Sequence, residues 1–150
     1  MIDDTATPAT DFCLRLARAH AVLLRRFDSM LGSYHGISFG DYQLLRHLGR
    51  APAGRLRRVD LADRLGLTAS GVTRALLPLE KIGLVVREID PRDARVGFAA
   101  VTPTGRELLD NATTVVDLVS REALATVAPD ALAAMAATFG QIAGIHAAND

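Results

Sequence analysis

60-DLADRLGLTASGVTRALLPLEKIG-83 is the stretch that decides the fold. It holds two helical patterns separated by Gly66-Leu67. Asp60 can cap 61-LADRLG-66 as a two-turn helix that Gly66 closes. Thr68 can cap a second helix, 69–83. Its inward stripe would be Val72, Leu76, Leu79 and Ile82, at spacings 4, 3 and 3, with Gly83 as the stop. Ala62 is small where two helices must cross closely, and Leu61, Leu65, Val72 and Leu76 would form their shared core. Two short capped helices joined by a tight turn make a helix-turn-helix. Thr68, Ala69, Ser70, Thr73 and Arg74 are left facing outward near the start of the second helix. Hydroxyls and the positive end of a helix suit phosphate. Arg74 can span to a guanine edge or a phosphate. Small Ala69 and Gly71 would let the backbone approach a partner closely. Pro78 lacks the N–H that would bond the Arg74 carbonyl, so a kink after Arg74 is expected.

Downstream, the apolar runs 84-LVVREI-89 and 96-VGFAAV-101 flank 90-DPRDAR-95, a hairpin with four charges balanced at its tip. A helix-turn-helix followed by a hairpin is a winged helix. With its second helix (68–82) in the major groove, its wing (90–95) lies over the neighbouring minor groove. An arginine there enters a concentrated negative potential. Arg95 is assigned as that residue and Asp93 as the group that orients it, with Arg92 and Arg87 on phosphates. A solvated turn carrying exposed ion pairs is the plain alternative. The upstream helix pair argues against it.

The flanks are helical. Residues 11–34 place Phe12, Leu16, Ala19, Leu23, Phe27, Met30 and Tyr34 at spacings of 3 and 4, with Thr10 or Asp11 as the start and Gly32 or Gly36 as the end. Leu14, Val22, Leu24 and Leu31 widen the apolar surface, and a helix apolar on more than one face wants a second partner. Residues 37–50 form another helix, with Ser38 or Asp41 at its cap and Tyr42, Leu45 and Leu48 inward. The Pro/Gly break 51-APAGR-55 leads to 56-LRRV-59, a candidate edge strand. Thr102-Pro103 starts a helix over 103–126, with Leu108, Ala112, Val115 and Val119 on one side. Pro129 opens the last, with Leu132, Met135, Phe139 and Ile142 inward. The expected fold is mainly α with a small β-hairpin. Its winged helix-turn-helix covers 55–102, with helical regions at 11–50 and 103–150 and a flexible start at 1–10; helix 38–50 supports the winged part.

Of 150 residues, 49% are hydrophobic, which favours a packed core over disorder. No run reaches the roughly 18–20 apolar residues of a membrane span. The acidic N-terminal stretch lacks a signal-peptide core, and the one cysteine excludes an internal disulfide and fits a reducing cytoplasm. Net charge is zero but unevenly spread. Arg46 to Arg106 holds 12 basic and 6 acidic residues, leaving 5 of the 17 basic and 11 of the 17 acidic for the rest. A basic middle between acidic flanks fits a nucleic-acid partner.

The joint pattern from about Tyr42 to Leu109 resembles the MarR family of transcriptional regulators. The residues that carry it are DYQLLRHL, LADRLGLTASGVTRALLPLEKIGLV, the wing DPRDAR and TPTGRELL. The resemblance implies a homodimer held by interlocked N- and C-terminal helices. It also implies two winged helices on a pseudo-palindromic DNA operator, and repression relieved by a small aromatic or phenolic ligand. Recognition helices would then stand about 34 Å apart. Four or five phosphates per subunit would give a log–log salt slope of roughly −7 to −9. Some family members respond to oxidation of a cysteine in the first helix. Cys13 has that position but no downstream tyrosine beside it, and a buried packing thiol is the expected reading.

Tyr34, His35 and Tyr42 are the candidates for an effector pocket, with a capping or surface role as the alternative for the first two. His20, His35, His47 and His146 show no metal spacing, and neither a metal nor a cofactor is expected. No nucleophile, P-loop or dinucleotide motif is present, so an enzyme is not expected. A winged helix that binds an acidic protein partner is the rival reading. A broad apolar patch on the 69–77 face would favour it, and Leu77 is the only large candidate there.

Overall fold

The computed structural model describes residues 6–144. The expected flexible start before residue 6, His146 and the end of the last helical region lie outside them. A first helix, α1, runs Pro8–His35 and starts earlier than the stripe suggested. Thr7 is its cap, accepting from the Thr10 N–H at 3.2 Å, and Pro8 occupies the first turn, where its missing N–H costs nothing. Gly36, at φ 67°, ends it, while Gly32 lies within it. The next helix, α2, is Phe39–Arg50, closed by a reciprocal box: Ser38 Oγ accepts from the Asp41 N–H, and the Asp41 carboxylate accepts from the Ser38 N–H.

A 3-10 turn, Pro52–Gly54, leads to strand β1, Arg55–Arg57, and straight into helix α3, Arg58–Leu65. Asp60 is therefore not the cap. It lies in the first turn of α3, where its two carboxylate oxygens take Arg57 Nε and Nη2 at 2.8 and 3.1 Å. Gly66, at φ 65°, closes α3, and Thr68 caps helix α4, Ala69–Lys81, through the Gly71 N–H at 3.1 Å. The helix continues through Pro78 to Lys81.

Strands β2 (Val85–Ile89) and β3 (Gly97–Val101) form the hairpin, and β1 pairs with β3, giving an antiparallel sheet in the order β1-β3-β2. Val72, Leu76 and Leu79 are buried as expected, but Ile82 is 60% exposed. The cause is the end of α4. The Gly83 N–H bonds the Glu80 carbonyl and the Leu84 N–H bonds the Leu79 carbonyl, a paired closure that Gly83 permits at φ 77°. It turns Leu84 into the core in place of Ile82.

One core joins α1, α2 and the winged part, through Phe27, Leu31, Leu44, Leu45, Leu48, Leu56, Leu61, Val72, Leu76, Leu79 and Leu84. Helix α5, Pro103–Ala123, adds Ala112 and Val119. Thr102 starts it: its Oγ donates to the Gly83 carbonyl at 2.6 Å and accepts from the Gly105 N–H at 3.0 Å. Among the described residues, those from Ser120 onward form a separate compact unit containing helix α6, Pro129–Ala143. None of the α6 residues is buried, and Met135, Phe139 and Ile142, expected inward, are exposed.

Candidate nucleic-acid interface

The second helix of the pair begins with a constellation of hydroxyls. Thr68 Oγ1 accepts from the Gly71 N–H and lies 3.2 Å from Ser70 Oγ. A Cβ on Gly71 would stand 3.2 Å from Thr68 Oγ1 and 3.4 Å from Leu67 Cβ. Gly71 thus serves the cap and the turn, as well as any close approach from outside. Thr68, Ser70, Thr73 and Arg74 are all exposed on this end of α4. Leu77 is exposed further along α4, and Leu67 in the turn.

The wing tip is a set of local hydrogen bonds. Asp90 Oδ1 accepts from the Arg92 N–H at 2.8 Å, and the Asp90 and Asp93 N–H groups bond the Val96 and Asp90 carbonyls. Asp93 then grips Arg95 three times, accepting from its backbone N–H at 3.0 Å, from Nε at 2.9 Å and from Nη2 at 3.0 Å. The Arg95 side chain stays 91% exposed while it is held. Arg95's hydrogen bonds, from the side chain first and the backbone second, hold the Asp93 carboxyl below its usual range; the Arg95 guanidinium is raised in turn. A fork-to-fork pair of this kind fixes direction as well as charge.

Behind the tip lie two further arginine contacts. Arg55 Nη1 meets Glu88 at 3.1 Å and its guanidinium sits 4.5 Å from the Phe98 ring centre. Arg58 Nη2 donates to Thr73 Oγ1 at 2.8 Å, and Thr73 in turn donates to the Ala69 carbonyl at 3.2 Å. The reading from sequence assigned Thr73 outward without finding Arg58, which stands 15 residues away. Gly97 was the available signal: a glycine at the start of a strand marks a close approach, and its missing Cβ would lie 3.2 Å from Arg58 Cδ. Arg87 is exposed on β2, opposite Ala99.

The other candidates separate. Tyr42 is buried, with its ring 6.0 Å from that of Phe39 and its hydroxyl 3.2 Å from Thr113 Oγ1. Tyr34 is 69% exposed and His35 half-buried. Cys13, expected as a packing thiol, is exposed, as is Leu14 beside it. Among the described residues no group of three or more His, Cys, Asp or Glu could hold a metal ion. No described helix is long and apolar enough to cross a membrane.

A capped helix pair with an exposed second helix, followed by a three-stranded sheet with an arginine clamped at its tip, defines a winged helix-turn-helix protein. Residues 35–96 match the MarR family. The chain is 28% identical to a MarR family transcriptional regulator from Streptomyces coelicolor solved in complex with DNA. That structure superposes with a TM-score of 0.84, over 92% of this chain and 88% of the other. A MarR family regulator from a Rhodococcus species, 26% identical, also gives 0.84, over 93% of this chain and 98% of its own. Among curated proteins, the uncharacterised HTH-type transcriptional regulator YkoM of Bacillus subtilis is 31% identical over 96 residues, 64% of this chain and 61% of that protein. YdgJ of the same organism is 30% identical over 95 residues, and the match spans 57% of it. The MarR-family match thus covers the helix-turn-helix and the wing tip, and the relatives named here are transcriptional regulators.

Proposed function

We propose that the chain is a homodimeric regulator that binds a pseudo-palindromic double-stranded DNA operator in the cytoplasm and represses transcription until a small aromatic or phenolic ligand releases it. The observation that carries DNA binding is the Asp93-clamped Arg95 at the wing tip, downstream of the exposed, Thr68-capped start of α4. The clamp lowers the number of rotamers the arginine must give up on entering a minor groove. Thr68, Ser70 and Arg74 take the major groove, with Thr73 among them on the same end of α4 but bonded to Arg58, and with Arg87 and Arg92 on the backbone. Neither Arg87 nor Arg92 has a carboxylate partner among the described residues. The winged part comprises residues 55–102.

Dimerisation by regions 11–50 and 103–150 is supported by exposed apolar side chains: Leu14 and Val22 on α1, and separately Met135 and Ile142 on α6. For the effector, the exposed Tyr34 and half-buried His35 offer accessible faces, whereas the Tyr42 ring is committed to the core. Selection of the purified protein on a randomised duplex library, beside Arg74→Ala and Arg95→Ala, tests the DNA reading. A two-fold symmetric site should be enriched, lost with Arg74→Ala and weakened with Arg95→Ala. No enrichment by a well-folded, ligand-free protein would refute it, and a monomer at micromolar concentration would refute the dimer.

A further inference from the structure

Residues 55-RLRR-58 place three arginines on β1 and the first residue of α3. Two are paired with the chain's own carboxylates: Arg55 with Glu88, and Arg57 with Asp60 at both oxygens. Arg58 differs. It makes no ion pair among the described residues and holds a neutral hydroxyl, Thr73 Oγ1, instead. Its stem passes over the bare backbone of Gly97, where β3 leaves the wing. One of its five N–H donors goes to Thr73, so the others remain to be claimed.

Thr73 is committed as well. It accepts from Arg58 and donates to the Ala69 carbonyl, which uses its only proton. Its role is then to aim Arg58 rather than to read a base edge by itself. Arg87 is paired across the sheet with Ala99, two residues along β3 from the Gly97 that Arg58 crosses and on the same face. Partial burial, and after it repulsion from Arg87, lower the Arg58 guanidinium's pKa, while Glu80 acts the other way. Two cations near one another, neither in an ion pair with a carboxylate among the described residues, suit an anion that bridges them.

We propose that Arg58, aimed by Thr73, joins Arg87 in a phosphate-binding site between the recognition helix and the wing, and that the site holds the DNA backbone between the major groove read by α4 and the minor groove entered by Arg95. This rests on the DNA-binding reading above. The site adds a contact that fixes the protein's position on the duplex and carries no base preference.

Phosphate contacts are countable through salt, because each one lost lowers the steepness of log Kobs against log[salt] by about 0.9. The probe is a random-sequence duplex, so no operator is needed. Binding is measured by fluorescence anisotropy across a salt series for wild type, Arg58→Gln, Arg58→Lys, Arg87→Gln and Arg55→Gln, with thermal melting to verify that each is folded. Arg58→Gln and Arg87→Gln should each reduce the slope by about 0.9 per subunit. Arg58→Lys should keep most of the slope, since the charge remains. Arg55→Gln, whose guanidinium is already paired, should leave the slope as in wild type. A wild-type slope in folded Arg58→Gln would overturn the Arg58 contact while leaving DNA binding intact. Absence of salt-dependent binding by wild type would overturn the DNA reading, and this site with it.

Discussion

Gly105→Ala puts two physical effects in direct opposition. Gly105 is the third residue of α5, and alanine is the better helix former by at most about 1 kcal/mol. The space is already taken. A Cβ there would collide with the Leu84 carbonyl oxygen and stand 2.9 Å from Val101 Cγ2. The oxygen cannot step aside freely, because it accepts from the Thr102 N–H at 3.0 Å and from Thr102 Oγ1 at 3.2 Å. Overpacking costs about 1–3 kcal/mol, and each hydrogen bond broken by the shift about 1 kcal/mol more. The collision wins, with a net loss of about 2 kcal/mol, or about 4–8 °C in Tm for a chain of this size. Gly32→Ala is the matched control: Gly32 lies inside α1 and its added Cβ would meet nothing within 4 Å. There the helix preference acts alone, and Tm should rise by about 2–4 °C. Both are read by circular dichroism melting at fixed protein concentration, since a dimer's Tm depends on it. A Gly105→Ala protein that melts at or above wild type would refute the packing described at the start of α5.

Asp93→Ala frees Arg95 but also removes a negative charge beside DNA. The second effect is screened by salt and the first is not. Its binding deficit should therefore be largest at high salt and shrink as salt is lowered; equal or tighter binding at every salt concentration would show that Asp93 does not orient Arg95. Because the Asp93 carboxyl is held below its usual range, the grip on Arg95 is complete above the ordinary aspartate pKa and is lost only as pH falls through the lowered value. The Arg95 Nε–H resonance should accordingly be constant from neutral pH down through the ordinary aspartate range and titrate only below it, and a midpoint within the ordinary range would count against the clamp. Thr68→Ala removes the α4 cap and should cost about 1 kcal/mol, seen as a lower urea midpoint with unchanged m-value.

The legible parts of the chain were those governed by neighbours. Thr68, Gly66 and Gly83 mark ends because a cap or a left-handed residue acts within four positions, and the structure uses all three. The Asp93–Arg95 pair was legible for the same reason, being two residues apart on a turn that leaves little other reach. The early start of α1 was readable too. Thr7-Pro8 is the same signal as Thr102-Pro103, but the small polar residues around it masked it. Ile82 was misplaced because a 3.6-residue period was carried past the point where Gly83 stops it.

What could not be read was the commitment of polar groups to distant partners. Asp60 looks like a cap by position, yet β1 runs directly into α3 and delivers Arg57 to its carboxylate. Tyr42 looks available for a ligand, yet its hydroxyl meets Thr113, 71 residues away. Thr73 looks like a base reader, and its hydroxyl donates its proton to the Ala69 carbonyl and accepts from Arg58 within the chain. In each case the residue type was a fair guide to the chemistry, hydrogen bonding by a carboxylate, a phenol or a hydroxyl, and a poor guide to the partner. A hydroxyl on a recognition helix is outward by helical period whether it meets a nucleotide or an arginine from the next element. Only the placement of Arg58 over Gly97 decides between them. In the site proposed above, that placement makes Thr73 a support and gives a backbone contact to an arginine whose local sequence gives it no distinction from its two paired neighbours.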